Sequence, residues 1–372
     1  MPQLETSATR WISERARALG FDLCGVAPAE RFPELARYSE WLERGYAGDM
    51  AYLKDQRRAD PRSAMSGVQS LIVCALNYNA PLPYSTETSP DPAGSPRGWI
   101  SRYAWGDDYH LILWDRLNAL CAEMKAHFPQ PFEARAYADT GPLHERSAAK
   151  YAGLGWIGKN TLLLNQSIGS WFFLGAIVTT LPLAPSLGLA EAPPADRCGT
   201  CRRCIEACPT EAIVEPYVLD ASRCIAYLTI ELRGSIPEKH RSAIGSHVFG
   251  CDICQDVCPW NRKSPRTSAS QFQPRKLAPD SEESLFSPDL LQLLQMPIEE
   301  FRRLFRGSPV KRAKWQGFVR NACIALGNSG LSPASDSYRE ALRVLTDLSH
   351  SSDSVVAESA LWALSRIQAT GQ

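Results

Sequence analysis

The chain has 372 residues, too many for a single hydrophobic core, and its length points to two or three domains. Its 40 basic and 40 acidic side chains cancel, which excludes a uniformly charged molecule but leaves room for local patches. The N-terminal segment carries Glu5, Arg10, Glu14 and Arg15 where a signal peptide needs an apolar core. The longest apolar stretch, around Trp171 to Val178, falls far short of the ~20 residues that span a bilayer. We therefore expect a cytoplasmic protein with no membrane partner. Twelve cysteines in such a chain argue for metal rather than disulfides.

In chain order, the first predicted helix is capped by Ser7 or Thr9, buries Trp11, Ile12, Ala16 and Leu19, and ends at Gly20. Ser70 to Tyr78 reads as a buried strand, and Pro81 to Pro96 as a loop. Asp107 or Asp108 opens a helix whose buried side runs through Leu113 or Trp114, Leu117, Leu120 or Cys121, Met124 and Phe128. Phe132 to Ala138 reads as a strand that runs into Asp139-Thr140-Gly141-Pro142, and a helix follows from about Leu143. A glycine-dense segment and a strand from Trp171 to Thr180 close residues 1–181, which we read as a layered α/β or α+β domain. Residues 182–195, with four prolines, read as a linker.

Next comes a cysteine block over 196–260. Cys198, Cys201, Cys204 and Cys208, followed by Pro209, form C-x2-C-x2-C-x3-C-P, the bacterial two-cluster ferredoxin run. Three thiolates from a tight turn hold corners of one cubane, and the fourth points to a second cluster. The matching run is Cys251, Cys254 and Cys258 before Pro259, with its first member, Cys224, displaced upstream by an insertion over 225–250. The crossing rule then assigns Cys198, Cys201, Cys204 and Cys258 to one 4Fe-4S cluster and Cys208, Cys224, Cys251 and Cys254 to the other. Zinc also uses C-x2-C pairs, but eight cysteines and two Cys-Pro endings argue against it. Cys24, Cys74, Cys121 and Cys323 sit in apolar contexts and read as small core residues.

From Asn261 to about Pro279 the chain is polar and basic, and residues 280–372 read as helical. Ala322 to Leu326 and Ala360 to Leu364 share an A-x-x-A-L pattern 38 residues apart, close to a HEAT-type period. Two copies are too few to stand alone, so this tail should pack on the rest. The fold class expected is therefore α+β, with a ferredoxin-like module and a helical HEAT-like tail.

Clusters alone suit an electron carrier, but the large first domain calls for a second cofactor or a substrate. Gly153, Gly155 and Gly158 match G-x-G-x-x-G only in letters, since they follow a helix and precede a strand; they read as a turn or a cofactor-hugging loop, not a nicotinamide site.

Three segments carry a more specific signal: Arg102 to His110 (RYAWGDDYH), Tyr137 to Asn165 (YADTGPLHERSAAKYAGLGWIGKNTLLLN) and the split cysteine block. Through them, and along nearly its whole length, the chain resembles the epoxyqueuosine reductases. That resemblance implies a cobalamin enzyme, similar in core architecture to reductive dehalogenases, that removes the epoxide oxygen from epoxyqueuosine at the tRNA wobble position. It implies Asp139 as proton donor. It also implies a cobalamin cavity lined by Arg62, Tyr103, Asp139, Lys159, Asn160, Thr161 and Ser170, with Ser222, Tyr227 and Asp252 approaching from the cluster module. A donor acid near neutral pH needs its pKa raised, which we expect for Asp139. Without the resemblance Asp139 would read as a helix cap, and His110 and His144 as surface or core histidines. No D-x-H-x-x-G segment offers a histidine to cobalt.

Residues 261–276 hold five basic and no acidic side chains, and residues 301–320 hold seven and none. Alone, these suit a solvated face as well as a phosphate backbone. Beside the resemblance they suggest tRNA contact through Arg302, Arg303, Lys311, Arg312 and Lys314, with Trp315 and Phe318 for packing or stacking. A small electron donor such as flavodoxin or ferredoxin is expected as a further partner, and the chain is expected to be a monomer. The competing readings are a dehalogenase-like enzyme on a small molecule and a non-catalytic electron-transfer protein.

Overall fold

The computed structural model describes residues 2–88, 94–188 and 191–370. Parts of the expected loop over 81–96 and of the linker over 182–195 lie outside the described residues. Helix α1 (Pro2–Ala18) starts before the expected cap, so Ser7 and Thr9 lie inside it; proline is accommodated in a first turn, where no N–H is needed. Gly20 ends the helix region at φ +88°.

Strands β1 (Leu23–Pro28), β2 (Ser70–Asn77), β3 (Ala134–Tyr137) and β4 (Phe172–Thr179) form one sheet in the order β1-β2-β4-β3, with every pairing antiparallel. The antiparallel order settles the domain as α+β rather than parallel α/β. All eight residues of β2 are buried, and they alternate between two cores. Ile72, Cys74 and Leu76 face α1 and α2 (Tyr109–His127), meeting Ile12, Ala16, Leu113, Leu117 and Leu120. Leu71, Val73 and Ala75 face α3 (Glu145–Tyr151), meeting Ala148, Ala149, Leu143 and Val178. Each large aliphatic side chain so buried contributes about 1.5–3 kcal/mol. This three-layer block fixes the ends of β3, α2 and α3, which carry the site.

Cys74, Cys121 and Cys323 are buried core residues, as expected. Cys24 stands opposite Cys74 on the neighbouring strand, with the sulfurs 3.7 Å apart. On the tail, α4 (Lys314–Gly327), α5 (Asp336–Ser349) and α6 (Ser354–Thr370) follow short helices over Leu290–Leu294 and Ile298–Leu304. The two A-x-x-A-L segments lie on α4 and α6, where the small residues let the helices approach: a Cβ on Gly327 would sit 2.8 Å from Trp362. The tail packs on the rest, as its two copies required. Its core is continuous with Trp99, Ile100, Trp105, Val248 and Phe249.

Buried Arg320 on α4 donates to the carbonyls of Leu228, Leu232 and Gly234, binding the tail to the insertion in the cysteine block. Among the described residues no helix is long and apolar enough to cross a membrane.

Candidate functional site

The RYAWGDDYH segment is a bracket. Arg102 is buried and donates to the carbonyls of Ala80, Leu82 and Pro83, with its guanidinium 4.5 Å from the Trp105 ring. A Cβ on Gly106 would meet the Gln271 carbonyl oxygen at 1.9 Å, so only glycine lets the 270s cross here. Asp108 caps α2, accepting from the His110 amide at 3.3 Å. Tyr109 stacks on His110 at 4.0 Å and on Phe173 of β4 at 4.3 Å, which fixes the imidazole plane.

Asp139 ends the turn after β3 at φ +58°, a conformation few non-glycine residues adopt. The helix beyond it begins only at Glu145, so Asp139 caps nothing. Its side chain is 67% exposed, and its Oδ2 lies 3.4 Å from His110 Nε2. His110 Nδ1 bonds Asp108 Oδ1 at 2.6 Å, and Asp108 Oδ2 accepts from Lys311 Nζ at 2.9 Å. One chain of groups thus runs from the tail to Asp139.

The electrostatics correct the expectation of a raised Asp139 pKa. Burial pushes the carboxyl up, but the hydrogen bond and charge of His110, with the Tyr109 hydroxyl and Arg146, outweigh it and hold the group below its usual range. Conversely, burial pushes His110 down, but Asp108 and Asp139 raise it to about 9. The acid proton at neutral pH therefore resides on the imidazole. Glu145, at the start of α3, is pushed up to about 7 by burial and by the Asp139 charge. Tyr52 is also within electrostatic reach of Asp139; its ring is 46% exposed and lies 5.8 Å from the guanidinium carbons of both Arg58 and Arg312. The sequence reads His110 only as a surface or core histidine and gives no signal for Tyr109, Tyr52 or Glu145. The D-Y-H letters are legible, but the approach of His110 to a residue 29 positions away is not.

The cysteine thiols separate into two sets. Cys258 has Cys204, Cys198 and Cys201 as electrostatic neighbours. Cys254 has Cys224 and Cys208 as neighbours, with Cys204 of the other set also in reach, and Cys251 has Cys224 and Cys254. Among the described residues no group of three or more His, Cys, Asp or Glu side chains is arranged to hold a single metal ion. Backbone N–H groups aim at the sulfurs: Lys159 at Cys198, Ala226 and Tyr227 at Cys224, Ile253 at Cys251 and Trp260 at Cys258. Ala212 N donates to Cys208 Sγ at 3.2 Å. The buried indole N–H of Trp156, without another partner, also reaches Cys198. Such donors favour thiolates and suit cluster sulfur.

Several of the residues expected to line a cavity make contacts in the seam between the first domain and the cysteine block. Lys159 Nζ donates to the carbonyls of Gly199 and Cys201, Asn160 Nδ2 to that of Cys254, and Ser170 pairs with Asn261. Asp252 is buried and accepts from Trp99, Ser101 and the Arg102 amide. The Tyr227 hydroxyl accepts from the Asp49 amide, Ser222 bonds Asp220, and Arg62 pairs with Asp60. Thr161 stands at φ +64°, with its carbonyl held by Arg146 at 2.7 Å. Tyr103 lies within electrostatic reach of Asp139.

The basic segments are less free than their composition implied. Arg266 and Arg275 bind carbonyls within the fold. Arg303 pairs with Glu300, Arg312 with Glu231 and Lys311 with Asp108. Phe318 is core, and the Trp315 indole donates to the Met296 carbonyl, so both serve packing. Arg302 and Lys314 remain exposed.

Residues 197–261, which include all eight of these cysteines, match the model of a 4Fe-4S double cluster binding domain, and residues 58–140 match that of epoxyqueuosine reductase QueG, DUF1730. The chain is 39% identical over 357 residues to the epoxyqueuosine reductase of Pseudomonas aeruginosa, covering 95% of this chain and 93% of that protein. The chain belongs to the epoxyqueuosine reductase family. The family's Gloeobacter violaceus member is 44% identical over 334 residues, covering 87% of this chain and 97% of that one. Among solved structures, a crystal structure of epoxyqueuosine reductase with an epoxyqueuosine-modified tRNA-Tyr stem loop aligns with a TM-score of 0.83 at 28% identity, covering 97% of this chain and 90% of that chain. The Streptococcus thermophilus epoxyqueuosine reductase aligns at 0.78, also at 28% identity, over 96% of this chain and 90% of that one. The α+β fold with its double-cluster module is thus the fold of this reductase family.

Proposed function

We propose that this family member reduces epoxyqueuosine to queuosine at the wobble position of tRNA, with Asp139 handing the proton to the departing epoxide oxygen. The observation that carries the reading is a strained, exposed carboxylate tied to a histidine in a first domain seamed directly to a double-cluster module. Cys198, Cys201, Cys204 and Cys258 would hold one 4Fe-4S cluster, and Cys208, Cys224, Cys251 and Cys254 the other. Cobalamin would lie against Tyr103, Asp139 and Thr161, whose side chains are not committed to the seam. Arg62, Lys159, Asn160, Ser170, Ser222, Tyr227 and Asp252 would act mainly by shaping its surroundings. When bound, these groups would supply low-potential electrons and a reducing metal centre at the epoxide.

The chain's own residues do the rest. Lys159 and Asn160 lock the glycine-rich loop onto both cysteine runs, which keeps the cluster module in register with Asp139. Exposed Arg302 and Lys314, with Arg303, Lys311 and Arg312 behind their carboxylate partners, would meet the RNA backbone. The anticodon base would have to leave the stack to reach Asp139. A small reduced carrier such as flavodoxin or ferredoxin would approach the partly exposed Cys198–Cys204 turn, rimmed by Arg197, Arg202 and Arg203. The test is anaerobic incubation of epoxyqueuosine-containing tRNA with the reconstituted protein and a chemical reductant, read by nucleoside mass spectrometry. Loss of one oxygen from the modified nucleoside is expected. An unchanged nucleoside with clusters and cobalamin loaded would overturn the proposal.

A further inference from the structure

Taking an epoxide to an alkene and water consumes two electrons and two protons. Asp139 carries at most one proton, and at rest its contacts keep it ionised. A second proton-bearing group must therefore stand within reach of it. In this structure that group is defined by geometry: the His110 ring lies between two carboxylates, Nε2 3.4 Å from Asp139 and Nδ1 2.6 Å from Asp108.

We infer that His110 is the proton store of the reaction, reloading Asp139 through Nε2, and that Asp108 and Lys311 are positioning residues that hold it as an imidazolium. The step balances simply. His110 imidazolium gives its Nε2 proton to Asp139 Oδ2, leaving neutral imidazole and a carboxylic acid. Asp139 then gives that proton to the oxygen released from carbon, and returns to carboxylate. Solvent recharges the imidazole, and a second pass along the same relay gives the second proton, so that the oxygen leaves as water. The electrons come from the reductant that drives the proposed reduction.

Every group that faces the pair fits this role. Asp108 is 6% exposed along its side chain and is held ionised against burial by His110 and Lys311. Lys311, on the tail, reaches Asp108 at 2.9 Å and satisfies the carboxylate oxygen that His110 does not use. Tyr109 stacks on the imidazole and offers its hydroxyl to Asp139, while Tyr103 and Tyr52 bring phenols whose pKa is pushed up, so that they add no charge. Arg146 and Arg312 contribute positive charge toward Asp139, and Glu145 contributes a carboxyl poised near neutrality. The Lys311 contact gives that residue a second role beside the RNA contact proposed for it: its ammonium completes the proton network from the tail.

The inference rests on the proposed reductase activity, and the experiment separates the two. The kcat of the loaded wild-type enzyme on epoxyqueuosine tRNA should stay level through neutral pH and fall above about 9, where the imidazolium is lost. His110→Gln should lose about 10²-fold in kcat at pH 7 with KM little changed, and its profile should lose the alkaline limb and rise toward acid pH instead. Asp108→Asn should keep the limb but move it below 9, and a ring-proton NMR titration of His110 in the non-reacting protein should show the same displacement. If the wild type turns over but His110→Gln keeps its rate and its alkaline limb, the proton-store assignment is overturned while the reductase reading stands. If the wild type with both cofactors fails to turn over, the reductase reading fails first, and NMR still decides whether Asp108 sets the protonation of His110.

Discussion

A single aspartate turn shows how local strain and long-range contact combine. Asp139 is held at positive φ by a turn that Gly141 makes possible, since a Cβ there would strike the Tyr137 ring at 2.4 Å. The turn presents the carboxylate to His110 rather than to the following helix. Replacing Asp139 by Asn keeps the shape and removes the proton-transfer group. We expect a drop of about 10²–10⁴-fold in turnover, with iron content and tRNA affinity unchanged; full turnover would contradict the assignment. At the opposite extreme stands Arg320, whose guanidinium serves three carbonyls in the core. Arg320→Met leaves those acceptors unpaired, and denaturant titration should show a loss of about 3 kcal/mol.

On the proposed reading, the element that couples chemistry to electrons is the glycine-rich loop between α3 and β4. Its two short strands, Trp156–Ile157 and Leu163–Leu164, pair only because Gly155 carries no side chain: a Cβ there would meet the Leu164 carbonyl oxygen at 2.0 Å. Gly155→Ala should open this hairpin, release Lys159 from Cys201, and lower the iron bound per chain while far-UV circular dichroism stays near native. Normal iron content would show that the loop does not brace the cluster turn. The sequence made several elements legible because their periodicity coincides with burial. Ser70 to Asn77 alternates between two cores, and α2 buries Leu113, Leu117, Leu120 and Met124 as its spacing foretold. The start of α1 was missed because Ser7 and Thr9 are good caps that a proline-led first turn bypassed. The lining residues drew on a family resemblance, which says which residues matter but not whether a side chain faces a cavity or a seam. Lys159, Asn160 and Asp252 make bracing hydrogen bonds, which only tertiary contact reveals.

At the scale of the molecule, three layers, a double-cluster module and a helical tail share contacts throughout. The tail supplies Lys311 to the Asp139 network and Arg320 to the insertion; on the proposed reading this joins RNA binding to proton delivery. RNA affinity should then depend on the cations left unpaired. Replacing Arg302 and Lys314 with Ala should weaken tRNA binding and flatten the dependence of log K on log salt by about one unit for each phosphate no longer neutralised. An unchanged slope would place the RNA elsewhere. The whole arrangement presupposes two cubanes held by crossed cysteines. The most direct test is iron and sulfide analysis of anaerobically purified protein, for the native chain and for Cys258→Ser. The account predicts about eight irons and eight sulfides in the native chain, and selective damage in the variant to the cluster that Cys198, Cys201 and Cys204 share. Zinc in place of iron, or a variant that retains both clusters intact, would contradict it.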